Sequence, residues 1–144
     1  MKIDIVEAKA VDMADLPNLI RQLYPDLPAE IILKRLPRMA EMTEHKILLG
    51  KSEGKTVAYL GYMLLTNLIY ADYYWVQDLI VEKEYRSQGL GKIMLDHLKE
   101  LARKNRVSHI ALAANKAHLD AQRFYEEKMD MDKRGFIYRT RDTL

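Results

Sequence analysis

Between His45 and Ala114 the chain sets three β-forming runs in succession, then one amphipathic helix, then a short β-forming run. That order constrains the fold more than any other feature. The first run, HKILLGK, meets the second, KTVAYLGYMLL, across Ser52-Glu53-Gly54-Lys55, and strands joined by so short a turn pair antiparallel. The third, YWVQDLIVE, follows an aromatic connection, NLIYADYY, and is rich in β-formers. A helix from about Gly89 to Lys104 carries Leu90, Ile93, Met94, Leu98 and Leu101 as one stripe, with Glu100 four residues before Lys104. His97 lies on this stripe, where a packed or boundary histidine is the simplest reading. SHIALAA then reads as a strand, and a strand–helix–strand unit demands a parallel pair. Gly61, inside the second run, marks a bulge or a close backbone approach.

The flanks complete the order. KIDIVEA alternates like a strand, with Ile3 and Ile5 on one face. Asp15 is placed to cap a helix carrying Pro17 in its first turn and Leu16, Leu19, Ile20 and Leu23 at helical spacing. YPDLP breaks it, and a second helix starts near Pro28, runs through Ile32, Leu36 and Met39, and is kinked or ended at Pro37. AHLDAQRFYEEK reads as a last helix and GFIYR as a last strand. The sum is β-α-α-β-β-β-α-β-α-β: an α/β fold with a mixed, centrally antiparallel sheet, one parallel βαβ pair, and helices on both faces. No linker or repeat interrupts residues 1–144, a length suited to one domain.

Several function classes are excluded early. With 23 basic against 21 acidic residues the net charge is only +2, which gives no polybasic surface for nucleic acid. Arg134, Arg139 and Arg141 form a local basic cluster that suits either an anion or a solvated edge. There is no cysteine, so disulfides, thiolate metal sites and a cysteine nucleophile are absent, and a reducing, cytoplasmic location fits. No apolar run approaches 18 residues and the N-terminus has no apolar core, so neither a membrane span nor a signal peptide is expected.

The chemistry concentrates in VQDLIVEKEYRSQGLGKIML, residues 76–95. A turn that feeds a helix exposes the helix's first N–H groups, which with the helix dipole favour an anion such as phosphate. Gly89 and Gly91 keep that turn free of side chains, and Arg86 adds a forked cation. A dinucleotide fingerprint would need a third glycine where Met94 stands, and a Walker loop would need one at Arg86 and a Ser or Thr at Ile93. Arg86, Gln88, Gly89 and Gly91, after a strand and at the head of a helix, resemble the pyrophosphate motif of the GNAT superfamily of N-acetyltransferases. A second family feature, A-x-x-x-[FY]-Y-E, is met by Ala121, Phe124, Tyr125 and Glu126, and the resemblance covers most of the chain.

That resemblance implies acetyl-coenzyme A as co-substrate and no metal. The pantetheine arm is expected along Leu79, Ile80 and Val81, with an amide near Val81 as oxyanion donor. The pyrophosphate is expected on Ser87, Gln88, Gly89, Leu90, Gly91 and Lys92 beside Arg86. The reaction implied is direct attack of a primary amine, of a small molecule or a peptide, on the thioester without an acyl-enzyme. Tyr125 stands at the family's general-acid position, although its spacing alone also fits a core aromatic beside Phe124. Diamine-acetylating relatives carry Glu-Asp where this chain has Gln77-Asp78, so the base is unassigned and Asp78 is its candidate. Strand alternation sets Gln77 and Asp78 on opposite faces.

Two further positions depart from the family. His118, with Asn115 nearby, takes the place of an asparagine that binds the pantetheine arm; the alternative is an exposed histidine at a helix start. The Gly-Phe that follows the helix in relatives is altered to Met129-Asp130-Met131, and Gly-Phe recurs at Gly135-Phe136. Tyr70, Tyr73, Tyr74 and Trp75 suit either an amine or a dimer surface, and a homodimer is a family expectation. The competing function is a non-catalytic acyl-coenzyme A sensor or partner-binding domain.

Overall fold

In a computed structural model residues 1–141 are described. They fall into two compact units, one from Met1 to Leu112 and one from Ala113 onward.

The first unit holds a five-stranded sheet in the order β1 (Asp4–Glu7), β2 (His45–Ser52), β3 (Lys55–Asn67), β4 (Ala71–Val81), β5 (Ile110–Leu112). β1 to β4 are antiparallel neighbours and β5 lies parallel to β4, the mixed sheet that the order of runs demands. Glu53 and Gly54 join β2 to β3 with φ of 49° and 79°, the double positive φ of a two-residue hairpin turn whose twist matches its strands. β3 and β4 are longer than the sequence suggests. Most of the aromatic connection is strand, because the Asn67 side chain closes the turn by accepting the Ile69 and Tyr70 amides at 3.0 and 2.7 Å.

The bulge expected at Gly61 is present, and its extra residue lies on the partner strand. Gly61 opposes Asp78 whereas Tyr62 opposes Val76, which leaves Gln77 unpaired in β4.

Helices cover both faces of the sheet. A 3-10 turn (Ala10–Asp15) leads into α1 (Leu16–Ile20), and α2 (Ala29–Glu41) follows. Leu16, Leu19, Ile32 and Leu36 from this layer close on Ile47, Leu49, Tyr59 and Ile80 of the sheet. Leu16 is fully buried, and each such leucine contributes about 2 kcal/mol of transfer free energy. The opposite face receives α3 (Leu90–Lys104) through Leu90, Met94, Leu95 and Leu98. Met94 packs so closely that its sulfur would stand 3.0 Å from a Cβ at Gly50. The stripe is rotated slightly from the expected one: Leu95 is buried and Ile93 is 39% exposed. His97 is half-buried, a boundary histidine.

Two expectations about the helices need correction. Asp15 precedes α1 but has helical backbone angles and makes no side-chain cap, because the 3-10 turn already feeds the helix. The capping carboxylate is Asp12, which accepts the Lys9 amide at 2.8 Å. α2 does not end at Pro37 but runs on to Glu41, forgoing one backbone hydrogen bond.

In the second unit α4 (Leu119–Arg123) passes into a π-helical turn (Phe124–Lys128), where the Met129 amide reaches back five residues to the Phe124 carbonyl at 3.2 Å. The expected last strand is absent: residues 135–139 form no strand, and Phe136, Ile137 and Tyr138 are 83, 65 and 91% exposed. β-propensity expresses packing against neighbouring strands, and this run has no ladder partner among the described residues.

Candidate active site

β5 pairs only with Tyr74, Trp75 and Val76 of β4. Beyond Val76, β4 runs on for five residues with β3 on one side and no strand on the other among the described residues. The Glu82 amide donates to the Val57 carbonyl at 2.8 Å, which marks Ala58 and Val81 as a non-hydrogen-bonded pair. Val81 therefore turns its N–H and C=O away from β3, and so does Leu79, two residues earlier. Ile80, opposite Tyr59, spends its backbone groups on β3 and its side chain in the core. Of the three residues expected to hold a pantetheine arm, Leu79 and Val81 are the ones with backbone groups at the open edge.

Arg86 folds back to this strand end. Its Nε donates to the Val81 carbonyl at 3.0 Å and its Nη2 to Gln22 Oε1 at 3.4 Å. Gln22 is itself fixed, donating to Glu82 Oε1 at 2.7 Å and accepting the Lys83 amide at 2.9 Å. The guanidinium is thereby held beside the loop that leads into α3.

That loop is built for an anion. Ser87 and Gly89 have φ of 60° and 84°, and Gly89 is the N-cap of α3. A Cβ on Gly89 would meet nothing within 4 Å, so the left-handed backbone requires the glycine and the space before it stays clear. The Ile93 amide bonds the Gly89 carbonyl at 3.0 Å, and the amides of Leu90, Gly91 and Lys92 precede that first helical bond as free donors. With the dipole of a 15-residue helix behind them and Arg86 beside them, they suit a pyrophosphate. Gln88 instead bonds the Glu84 carbonyl at 3.2 Å, and Lys92 pairs with Asp96. The edge amides of β4 and this cradle fit coenzyme A.

Asp78 opens onto the other face. Its Oδ1 accepts the Tyr24 hydroxyl, and with Tyr24, Tyr59 and Ile80 it lines a cavity of about 720 Å³ whose walls come from α1, α2 and the segment between them. Desolvation, reinforced by the hydrogen bond to Asp78, raises the Tyr24 pKa well above the usual tyrosine value. Desolvation and the Asp78 charge do the same to Tyr59. Both hydroxyls stay protonated donors.

Gln77 and Asp78 share this face, which corrects the expectation that they oppose one another. Gln77 Oε1 lies 2.8 Å from His45 Nε2 and its amide nitrogen 3.0 Å from Met63 Sδ. His45 alternates with Ile47 and Leu49, whose side chains point to the α1–α2 layer. The extra residue of the bulge resets the two-residue alternation, so consecutive side chains emerge on one side.

Tyr125 lies in the π-helical turn of the second unit, its ring 5.3 Å from that of Phe124. Burial raises its hydroxyl pKa above the ordinary value. Asn115 builds the turn before α4: its Oδ1 accepts the Ala117 amide at 2.9 Å, and its carbonyl accepts the His118 amide at 2.9 Å. His118 is the N-cap residue of α4, with an exposed side chain that makes no cap.

Sequence reasoning missed Tyr24, Gln22 and His45. Tyr24 stood in a segment that the sequence marked as a helix breaker and, by family resemblance, as part of the connection governing substrate choice, without singling out the tyrosine, and the other two act through partners 32 to 64 positions away. No local pattern carries such pairings.

A strand splayed from its parallel neighbour, a glycine-led helix start and a pocket on the opposite face define an acyl-coenzyme A N-acyltransferase fold. The chain belongs to the acetyltransferase (GNAT) family, whose model matches residues 13–131, and is an N-acetyltransferase that uses acetyl-coenzyme A. It is 25% identical over 121 residues to YhdJ of Bacillus subtilis (strain 168), an uncharacterised N-acetyltransferase, covering 84% of this chain and 85% of that one. In fold it resembles a possible acetyltransferase from Clostridium difficile 630, with TM-score 0.86, 19% identity and coverage of 100% and 99%. It is also similar to the aminoglycoside antibiotic 6'-N-acetyltransferase AAC(6')-Ih from Acinetobacter baumannii, with TM-score 0.83, 14% identity and 99% of each chain. Among the described residues no helix is long and apolar enough to cross a membrane.

Proposed function

We propose that the protein moves an acetyl group from acetyl-coenzyme A directly to the primary amine of a small molecule or peptide, with no acyl-enzyme. The observation that carries this reading is the position of Asp78: its carboxylate opens onto the pocket on one face of β4 while the neighbouring Leu79 frees its backbone at the cofactor edge. An amine bound in the pocket is thus brought to the strand along which the thioester is held.

The co-substrate supplies an activated acetyl group and a thiolate leaving group. The chain's own residues do the rest. Leu79 and Val81 hold the arm, and the Val81 amide donates to the carbonyl oxygen as charge develops on it. The amides of residues 87–92 and Arg86 hold the pyrophosphate, and Asn115 and His118 contribute to the arm. Asp78 receives the amine's proton, and Tyr125, protonated by virtue of its burial, gives one to the departing sulfur. Cytoplasmic residence and a homodimer belong to the same proposal; the exposed apolar run Leu68–Tyr70, 105, 82 and 54% exposed, supports an interface between copies.

Intact mass spectrometry tests direct transfer. Protein incubated with acetyl-coenzyme A alone should keep its mass, and addition of amine should yield the N-acetyl product. Protein gaining an acetyl group before amine is added would contradict the scheme. One observation favours a second reading, an acyl-coenzyme A sensor: the Gln77 amide, where relatives carry glutamate, is bound to His45 and Met63 and cannot take a proton. Product formation decides against it.

A further inference from the structure

The pocket beneath Asp78 has a composition that selects among amines. Its floor is Asp78, Tyr24 and Tyr59. Gly61, directly opposite Asp78, makes room for the second tyrosine: a Cβ there would stand 3.3 Å from the Tyr59 hydroxyl oxygen. One carboxylate, with the Tyr24 hydroxyl bound to it and Tyr59 beside it in the lining, therefore offers a single ammonium group a charge-assisted hydrogen bond.

The rest of the lining is mostly aliphatic, with one further carboxylate, Asp26, and one guanidinium, Arg35. Leu23, Leu27, Ile32, Leu36 and Met39 line the cavity. The charged groups on it are Asp78, Asp26 and Arg35, so two carboxylates and one guanidinium leave a net lining charge of −1. Among the described residues Arg35 has no ion-pair partner to cancel it. A polyamine or an aminoglycoside brings several charges; Asp26 could meet one of them, and the others would lose water against aliphatic side chains or meet Arg35. An apolar body gains by burial against the same walls.

We infer that the acceptor is a primary monoamine with an apolar body, an arylalkylamine or alkylamine, seated with its nitrogen at Asp78 and Tyr24 and its body between α1 and α2. This rests on the amine-acetylation reading above and narrows its substrate class. The ammonium gives one proton to Asp78, the freed nitrogen bonds the acetyl carbon, the carbon–sulfur bond breaks, Tyr125 protonates the thiolate, and the second proton that the nitrogen sheds as the amide forms makes good the one Tyr125 gave, leaving one proton on Asp78 for solvent. The products are an N-acetylamine and coenzyme A thiol.

The test is coenzyme A thiol release by the full chain with 2-phenylethylamine, hexylamine, spermidine and kanamycin, with product masses recorded. The two monoamines should show kcat/KM at least about tenfold above the polycations, a difference of about 1.4 kcal/mol. Asp78→Asn should lose roughly a hundredfold with 2-phenylethylamine while acetyl-coenzyme A still raises its melting temperature. Met39→Glu, which adds a carboxylate to the wall, should shift preference toward spermidine. Spermidine or kanamycin preferred over both monoamines overturns the inference and leaves amine acetylation standing. No product from any amine, with the acetyl-coenzyme A melting shift intact, overturns both.

Discussion

His45 Nε2 donates to Gln77 Oε1 at 2.8 Å, tying β2 to the bulge of β4 over the intervening β3. His45 is only 2% exposed, and its Nδ1 has no hydrogen-bond partner among the described residues. The ring thus depends on Gln77 for its one side-chain bond. Gln77→Leu should cost about 1–3 kcal/mol in urea unfolding, the penalty of an orphaned buried donor, whereas Gln77→Glu keeps the acceptor and should cost less. Equal losses in the two variants would show that the bond contributes nothing.

Gly89 and Gly54 make a matched pair. Both have positive φ, 84° and 79°, and neither would meet an atom within 4 Å if given a Cβ. Replacing either by alanine should cost about 1 kcal/mol from backbone strain, a fall of roughly 3–4 °C in Tm. Only Gly89→Ala should also weaken acetyl-coenzyme A binding, measured by calorimetry, because only Gly89 lies at the proposed phosphate cradle.

Lys51 Nζ lies 2.7 Å from Asp12 Oδ1, fastening the turn before α1 to β2. This bond, with the Lys9 amide, lowers the Asp12 pKa below 3.8. A carboxyl depressed in the folded state stabilises at pH above its unfolded value, near 4, and that contribution is lost as pH falls through the folded value. Asp12→Asn should therefore cost about 1 kcal/mol at pH 7 after allowance for solvent screening, with wild type and variant converging as the pH falls below the ordinary carboxylate range. A difference that persists unchanged at low pH would sink the ion-pair explanation.

Tyr125→Phe removes the proposed proton donor and little packing. kcat should fall about a hundredfold or more with the KM for acetyl-coenzyme A little changed. Because burial raises the Tyr125 pKa, wild-type activity should show no alkaline loss from this group below about pH 10. A variant of full activity would return Tyr125 to the role of a core aromatic.

Much of the fold was legible because it rests on local rules. Short turns dictated the antiparallel strands, the crossover helix dictated the parallel pair, and Glu53-Gly54 and Gly61 marked a turn and a bulge by backbone geometry alone. The glycine-led start of α3 was legible for the same reason, since Gly89, Gly91 and Arg86 lie within a few residues of one another. What escaped depends on partners distant in sequence. One inserted residue at Gln77 changed which face it shares with Asp78, and Tyr24 reaches Asp78 from 54 positions away. GFIYR illustrates the converse, a run with strand composition and no strand paired to it among the described residues.

The central claim is that this fold transfers acetyl from acetyl-coenzyme A to an amine seated at Asp78. Mass spectrometry of a reaction containing acetyl-coenzyme A and 2-phenylethylamine, with wild type and Asp78→Asn in parallel, tests it most directly. The account predicts N-acetyl-phenylethylamine and an equal amount of coenzyme A thiol from the wild type, and roughly a hundredth of that rate from the variant. A wild type that binds acetyl-coenzyme A but forms no N-acetyl product, or a variant as active as the wild type, would contradict it.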